Sequence, residues 1–289
     1  MHDDSAAWYL PEHLTHLYYS PVYATLTPVQ RRVYNRLHAC YLCEMCAFLE
    51  GELPRYYLQA ASAPNIPKHL LAQAQALSDS EKRHASMFRA LARRLSPGLY
   101  CEDEYILVRP PSLPALMVRT LFNLPALRPM LLWIALIQEE RGVYYGEEIL
   151  RQAEHLDPAM VEVQRKHLAD EEEHLGFGEA LLPSYWDACR PWVRRLNARL
   201  FRYVLREYLG APKRAGVRLI HIWVKECPDL ETRKSELVDA MRALDRNPGF
   251  HRSLYSRKIV PKTFDLFDRY SEFCDLGKSV WGYSPEVNG

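Results

Sequence analysis

The stretch QRKHLADEEEHLGFGEA, residues 164–180, places His167, Glu171 and His174 at i, i+4 and i+7. At 3.6 residues per turn they share one stripe of a helix, beside Leu168, Leu175 and Ala180. A solvated face would scatter its acids and answer them with lysine or arginine one turn away. A carboxylate held between two imidazoles beside apolar neighbours points instead to metal ligation. The Glu-x-x-His unit occurs twice, as Glu171 with His174 and as Glu81 with His84 in SEKRHASMF. Chance supplies about one such pair in a chain of this composition, so the weight rests on spacing. A glutamate stands 31 residues before each: Glu50 in CAFLEGEL and Glu140 in LIQEERGVYY.

That separation, up one helix, round a loop and back along the next, brings two side chains level in an antiparallel hairpin. Two such hairpins facing each other gather four glutamates and two histidines, the arrangement of ferritin-like dimetal carboxylate bundles. Four carboxylates cannot stay ionised together in a helical core without cations. Carboxylate oxygens with imidazole suit iron or manganese better than zinc, and two metals roughly 3.5–4 Å apart are the expected outcome. Two assignments have competitors. Glu44 lies 37 residues before Glu81, in phase with Leu37, Tyr41 and Phe48; Glu139 adjoins Glu140 and shares a small-residue face with Ala135, Gly142 and Gly146. A common hairpin spacing favours Glu50 and Glu140. His167 sits one turn before Glu171, where the first hairpin has Leu77, so the second half offers an extra imidazole.

The elements that must position these residues read as helices with a 3.6 period, broken by proline-rich turns. Thr27 before Pro28 opens a helix to about residue 60, and Pro67 opens a second to about 95. Residues 96–114 form a crossover. A third helical stretch covers roughly 125–153, Asp157 with Pro158 opens a fourth through 182, and Pro191 a fifth to about 209. The fold class is therefore all-α, one ferritin-like bundle over residues 28–209 with a C-terminal helical extension over 210–289. Trp192, Trp223 and Trp281, within the residues from about 186 to 289, suggest a cap over a pocket.

Formal net charge is +1, so no basic excess points to nucleic acid or to an anionic membrane surface. MLLWIALI, the longest apolar run, is too short to span a bilayer. Seven cysteines without a recognisable signal peptide indicate reduced thiols and a cytoplasmic location. Cys40, Cys43 and Cys46 in CYLCEMC imitate an iron–sulfur run, but steps of three on a helix spread the outer two by roughly 120°, which suits packing.

With the third histidine, the sequence resembles the p-aminobenzoate N-oxygenase family, AurF- and CmlI-like di-iron oxygenases. The likeness extends over about residues 20–210 and includes LTPVQRRVYNRL ahead of the first ligand helix. By position it implies the ligands Glu50, Glu81, His84, Glu140, His167, Glu171 and His174. It further implies two iron ions, dioxygen as co-substrate, an external electron donor such as a reductase or ferredoxin, and an amine substrate in specialised metabolism, with a homodimer allowed. The arylamine would become a hydroxylamine, then a nitroso or nitro compound. Rival readings are a di-iron oxidation at carbon and a non-catalytic metal-binding bundle. Ser80 stands where an aspartate often precedes the ligand glutamate, which predicts a looser orientation of His84. A flat, neutral amine is expected in a pocket lined by Phe48, Trp133, Leu136, Tyr144 and Phe177, with the aromatics as core packing the alternative.

Overall fold

Thr27 and Asp157 cap the two helices that their positions predict. In the computed structural model, which describes residues 7–64, 66–101, 103–108, 124–211 and 213–284, Thr27 Oγ1 accepts from the Gln30 amide at 3.3 Å. Gln30 Oε1 in turn accepts from the Thr27 amide at 2.9 Å, a reciprocal capping box. Asp157 Oδ1 accepts from the amides of Ala159 and Met160 at 2.9 and 3.1 Å. Proline follows each cap, where its missing N–H costs nothing.

The helices in order are α1 (Pro21–Ala24), α2 (Pro28–Glu52), α3 (Pro54–Ala61), α4 (Lys68–Leu95), α5 (Arg128–Arg151) and α6 (Pro158–Asp187). They continue as α7 (Pro191–Glu207), α8 (Lys213–Glu226), α9 (Lys234–Ala243), α10 (Pro248–Leu254) and α11 (Pro261–Arg269). No strand occurs among the described residues; Trp8 and Leu156 form one isolated bridge. The helix expected to reach residue 60 breaks at Leu53, because Pro54 cannot donate to the ladder and restricts the residue before it. Helix α6 runs five residues past the expected end despite Pro183 within it. Trp186 holds that last turn, packing edge-on against Trp133 at 5.6 Å and stacked on Phe273 at 5.6 Å.

The four long helices form a ferritin-like helical fold. Helix α2 packs on α4, α5 on α6, and the hairpins meet where α4 crosses α6, whereas α2 and α5 scarcely touch. Helix α7 lies along α5, α8 along α2 and α9 along α8. Trp133, Trp186, Phe201, Phe267 and Phe273 are all buried and form one aromatic cluster that fastens α5 and α6 to the C-terminal segment. Of the three tryptophans read as a cap, Trp223 is buried against Tyr34, while Trp192 and Trp281 are exposed. Cys40 and Cys43 are buried, and no cysteine joins a metal-competent cluster among the described residues. Within the same residues no helix is long and apolar enough to cross a membrane.

The N-terminal segment is tied to α2 by Asn35, which is fully buried. Its Oδ1 accepts from the amides of Tyr9 and Leu10 at 2.9 and 3.0 Å, and its Nδ2 donates to Leu10 O at 2.8 Å. Asn35→Ala strands those backbone groups without water, and a loss of about 2–4 kcal/mol is expected in equilibrium denaturation. Faster amide exchange at Tyr9 and Leu10 should accompany it; unchanged exchange would mean that the segment is held elsewhere.

Candidate metal centre

Glu50 comes from α2, Glu81 and His84 from α4, Glu139 from α5, and His167, Glu171 and His174 from α6. His167 Nε2 lies 3.1 Å from Glu50 Oε1 and 3.0 Å from Glu171 Oε1. His174 Nδ1 lies 3.1 Å from Glu81 Oε1 and 3.3 Å from Glu171 Oε1. His84 Nδ1 is 3.5 Å from Glu171 and 3.9 Å from Glu81. Three overlapping groups, Glu50/His84/His167, Glu81/His84/His174 and Glu139/Glu171/His174, each bring one ligand atom per residue within 4.8 Å of the others.

Apart from the 3.9 Å separation, these distances are within hydrogen-bond reach, yet the angles are wrong for hydrogen bonds. Glu50 Oε2, both oxygens of Glu81 and Glu171, both nitrogens of His167, and Nδ1 of His84 and His174 are buried without a hydrogen-bond partner. Nine orphaned polar atoms, all but His167 Nδ1 from the ligand-facing side, would be a severe cost in a core that had nothing to offer them. Atoms whose lone pairs converge on common points, from carboxylate and imidazole, fit divalent metal ions of the iron or manganese kind.

The protonation balance in the bare protein shows the same strain. Burial pushes Glu50 up to about 8, against the pull of His167. Glu81 and Glu139 also rise through burial, with the neighbouring carboxylates adding to it. Burial would raise Glu171 too, but His167 and His174 outweigh it and hold this carboxyl below its usual range. Burial would lower His167 and His174, yet their carboxylate neighbours bring each up to about 10. His84, dominated by burial, falls to about 4. Two imidazolium charges thus stand in for the cations that four carboxylates require.

His84 is oriented from the other hairpin. Its Nε2 lies 3.2 Å from Asp170 Oδ2, which also accepts from Ser80 Oγ at 2.9 Å. A proton on Nε2 leaves the Nδ1 lone pair pointing inward, the outer-shell role that carboxylates play for ligating histidines. Serine at position 80 therefore does not leave His84 without an acid, contrary to the sequence expectation; it steadies the acid that serves it.

Six of the seven residues expected at the centre come together, and Glu140 does not. Its Oε1 accepts from the Lys262 amide at 2.7 Å and its Oε2 from the Thr263 amide at 2.9 Å, so it caps the N-terminus of α11. One residue along a helix turns a side chain by about 100°. Glu139 is twelve residues before Arg151 and Glu171 thirteen after Pro158, which sets them level in the hairpin. The small face signals this in the sequence. A Cβ on Gly142 would lie 3.8 Å from His167 Cε1, and one on Gly146 would meet Leu168 at 2.8 Å. Glu44 is likewise spoken for, accepting from the amides of Ile106, Leu107 and Val108 and from Tyr100 Oη. The aromatics expected to line a pocket are dispersed: Phe48 meets Tyr105, Phe177 meets Tyr57, and Trp133 is core.

Comparison with protein families matches residues 1–249 to the family described as P-aminobenzoate N-oxygenase AurF. The chain belongs to this oxygenase family. Curated proteins give no match. The AurF match extends beyond the stretch that the motifs alone cover and stops before α11, so the helix capped by Glu140 lies outside it.

Iron content after anaerobic loading separates the two adjacent glutamates. Glu139→Ala is expected to bind less iron than the wild type while staying helical. Glu140→Ala should bind iron normally but lose about 1–3 kcal/mol, because two amides of α11, the Thr263 one buried, lose their acceptor. The opposite pattern would reverse the register of α5.

Proposed function

We propose that the protein is a di-iron oxygenase that transfers one oxygen atom from dioxygen to the nitrogen of an arylamine. Glu50, Glu81, His84, Glu139, His167, Glu171 and His174 would hold the two ions. The observation that carries this reading is the set of unpartnered ligand atoms converging from four helices, in a chain of the AurF family. Four carboxylates balance two divalent ions, and three neutral imidazoles complete the donor set without adding charge. When bound, the iron supplies electrons to dioxygen and an electrophilic oxygen to the amine.

The protein's own part is to fix the donors and exclude water. Ligands on four long helices are held more rigidly than ligands on loops. Asp170 holds the tautomer of His84, and Glu140 keeps α11 closed over α5 and α6, where Lys262 Nζ also pairs with Glu179 at 2.8 Å. For the first oxidation the balance is amine plus dioxygen, two electrons and two protons, giving hydroxylamine and water. An external reductase or ferredoxin would supply the electrons. Further rounds would give nitroso and nitro products.

Labelled dioxygen and mass spectrometry test this with an arylamine panel and the reduced, iron-loaded protein. One labelled oxygen on nitrogen is expected, and label at carbon, or none with any amine, would contradict it. His167→Ala should bind less iron and react poorly with oxygen, whereas exposed His155→Ala should match the wild type. Equal behaviour of the two would remove His167 from the ligand set.

A further inference from the structure

The chain as a whole is close to neutral, yet α7 is not. Its 17 residues, PWVRRLNARLFRYVLRE, hold five arginines and one glutamate. One face is core: Asn197, Ala198, Phe201 and Leu205 are buried, with Asn197 Oδ1 accepting from the Met130 amide at 2.9 Å and Phe201 lying 6.3 Å from Trp133. The opposite face follows the helical period. Trp192, Leu196 and Tyr203 stand on it at i, i+4 and i+11, the first and last each 56% exposed. Beside them run Arg195, Arg199, Arg202 and Arg206, exposed except for the half-buried Arg202. Four of the eight large hydrophobic side chains exposed among the described residues fall between Trp192 and Tyr208, a concentration that scattered surface residues do not show. Arg194 and Arg206 have acids beside them, Glu272 and Glu207, each at 3.0 Å. Arg195, Arg199 and Arg202 make no ion pair among the described residues. Arg202, Tyr203, Arg206 and Lys278 also border an open depression of about 360 Å³.

Helix α7 lies along α5 and runs in the same direction. Asn197 meets Met130 and Phe201 meets Trp133. Just past the end of α7, Tyr255 Oη accepts from Gln138 Nε2 at 2.9 Å and donates to Leu209 O at 3.1 Å. The C-terminal half of the outer face is therefore level with Gln138 and Glu139, the latter among the residues assigned to the metals. Packed helices lie about 8–10 Å apart and are roughly 5–6 Å in radius, which puts this face roughly 15 Å from the axis of α5.

We infer that the outer face of α7 docks an acidic electron-donor protein, which passes its electrons across α5 to the metal centre. The inference names a partner for the site proposed above and rests on that reading, whose balance calls for two electrons per oxygen atom transferred. Each encounter with a one-electron donor reduces one iron(III) to iron(II) and makes or breaks no bond, so two encounters supply the pair. Arginine, tryptophan and tyrosine carry much of the binding energy at protein interfaces, and unpaired cations around them steer an acidic partner into place. A helix face about 25 Å long and roughly 10 Å wide is small for a permanent complex and suits a transient redox encounter. Other occupants fit worse. A second copy of the chain would set arginine against arginine across a two-fold axis. A lipid surface takes up a helix by its apolar face, which α7 turns to the core.

Anaerobic stopped-flow mixing of reduced plant-type ferredoxin, an acidic iron–sulfur protein, with the iron(III)-loaded protein tests it. The second-order rate of ferredoxin oxidation should fall about tenfold as salt is raised, and by a similar factor at low salt when Arg195→Glu, Arg199→Glu and Arg202→Glu are combined. Lys68→Glu, Lys225→Glu and Arg246→Glu together make the same change of charge at exposed positions elsewhere and should leave the rate near wild type. Dithionite, a small reductant, should reduce all three proteins alike. Should the α7 variant fail to fold, Trp192→Ser with Arg199→Gln decides by whether the rate falls. Equal rates in the two charge variants, a rate indifferent to salt, or no oxidation of ferredoxin would overturn the inference. So would binding of the wild type to phosphatidylserine vesicles or single-stranded DNA that the α7 variant loses. Failure of the wild type to load iron, or to accept electrons even from dithionite, would count against the metal reading. The docking face is then judged by surface plasmon resonance of metal-free protein over immobilised ferredoxin, where binding by the wild type and its loss in the α7 variant are expected.

Discussion

Four carboxylates and three imidazoles meet at the centre of four helices, and no distribution of protons satisfies all of them. Protonating the acids leaves hydroxyl donors without aligned acceptors, and ionising them leaves repelling charges away from water. Two divalent cations resolve both difficulties at once, because a metal accepts several lone pairs from directions that a hydrogen bond would refuse. The architecture follows from this demand. The ligands must arrive at one level from four rigid helices, so the helices are long. Thr27 and Asp157 fix the starts of α2 and α6, and the second hairpin is drawn close at Gly146, where a larger residue would run into Leu168 of α6.

Adjacent or nearby acids on the same helix divide the work. On α5, Glu139 faces the centre while Glu140 reaches the amides of Lys262 and Thr263. On α2, Glu50 faces the centre while Glu44 gathers the amides of residues 106–108. The helices that carry the ligands therefore also carry the anchors of the crossover and of the C-terminal segment. Outside the metal centre, the buried carboxylates of Glu44 and Glu140 are satisfied by backbone N–H groups, and that of Glu148 by Arg151. This contrast separates the two classes more clearly than burial, which they share.

Much of the centre is legible in the sequence because helical periodicity is rigid over short distances. His167, Glu171 and His174 lie on one helix, and their common stripe follows from 3.6 residues per turn. Register between helices is less secure. A spacing of 31 residues suits the first hairpin, where α3 extends the ascending path beyond the break at Leu53. The second hairpin turns through a short connection after Arg151 and needs 32, which selects Glu139. The small residues at 135, 142 and 146 carry this information and outweigh the equal-spacing rule. Long-range pairings such as Asp170 with His84, or Glu140 with α11, have no local signature.

The most direct measurement is anomalous diffraction at the iron edge from crystals of the protein loaded anaerobically with iron(II). Two peaks roughly 3.5–4 Å apart are expected, surrounded by Glu50, Glu81, His84, Glu139, His167, Glu171 and His174, with Glu140 still on the amides of α11. A single peak, no peak, or iron bound away from these seven side chains would contradict the account.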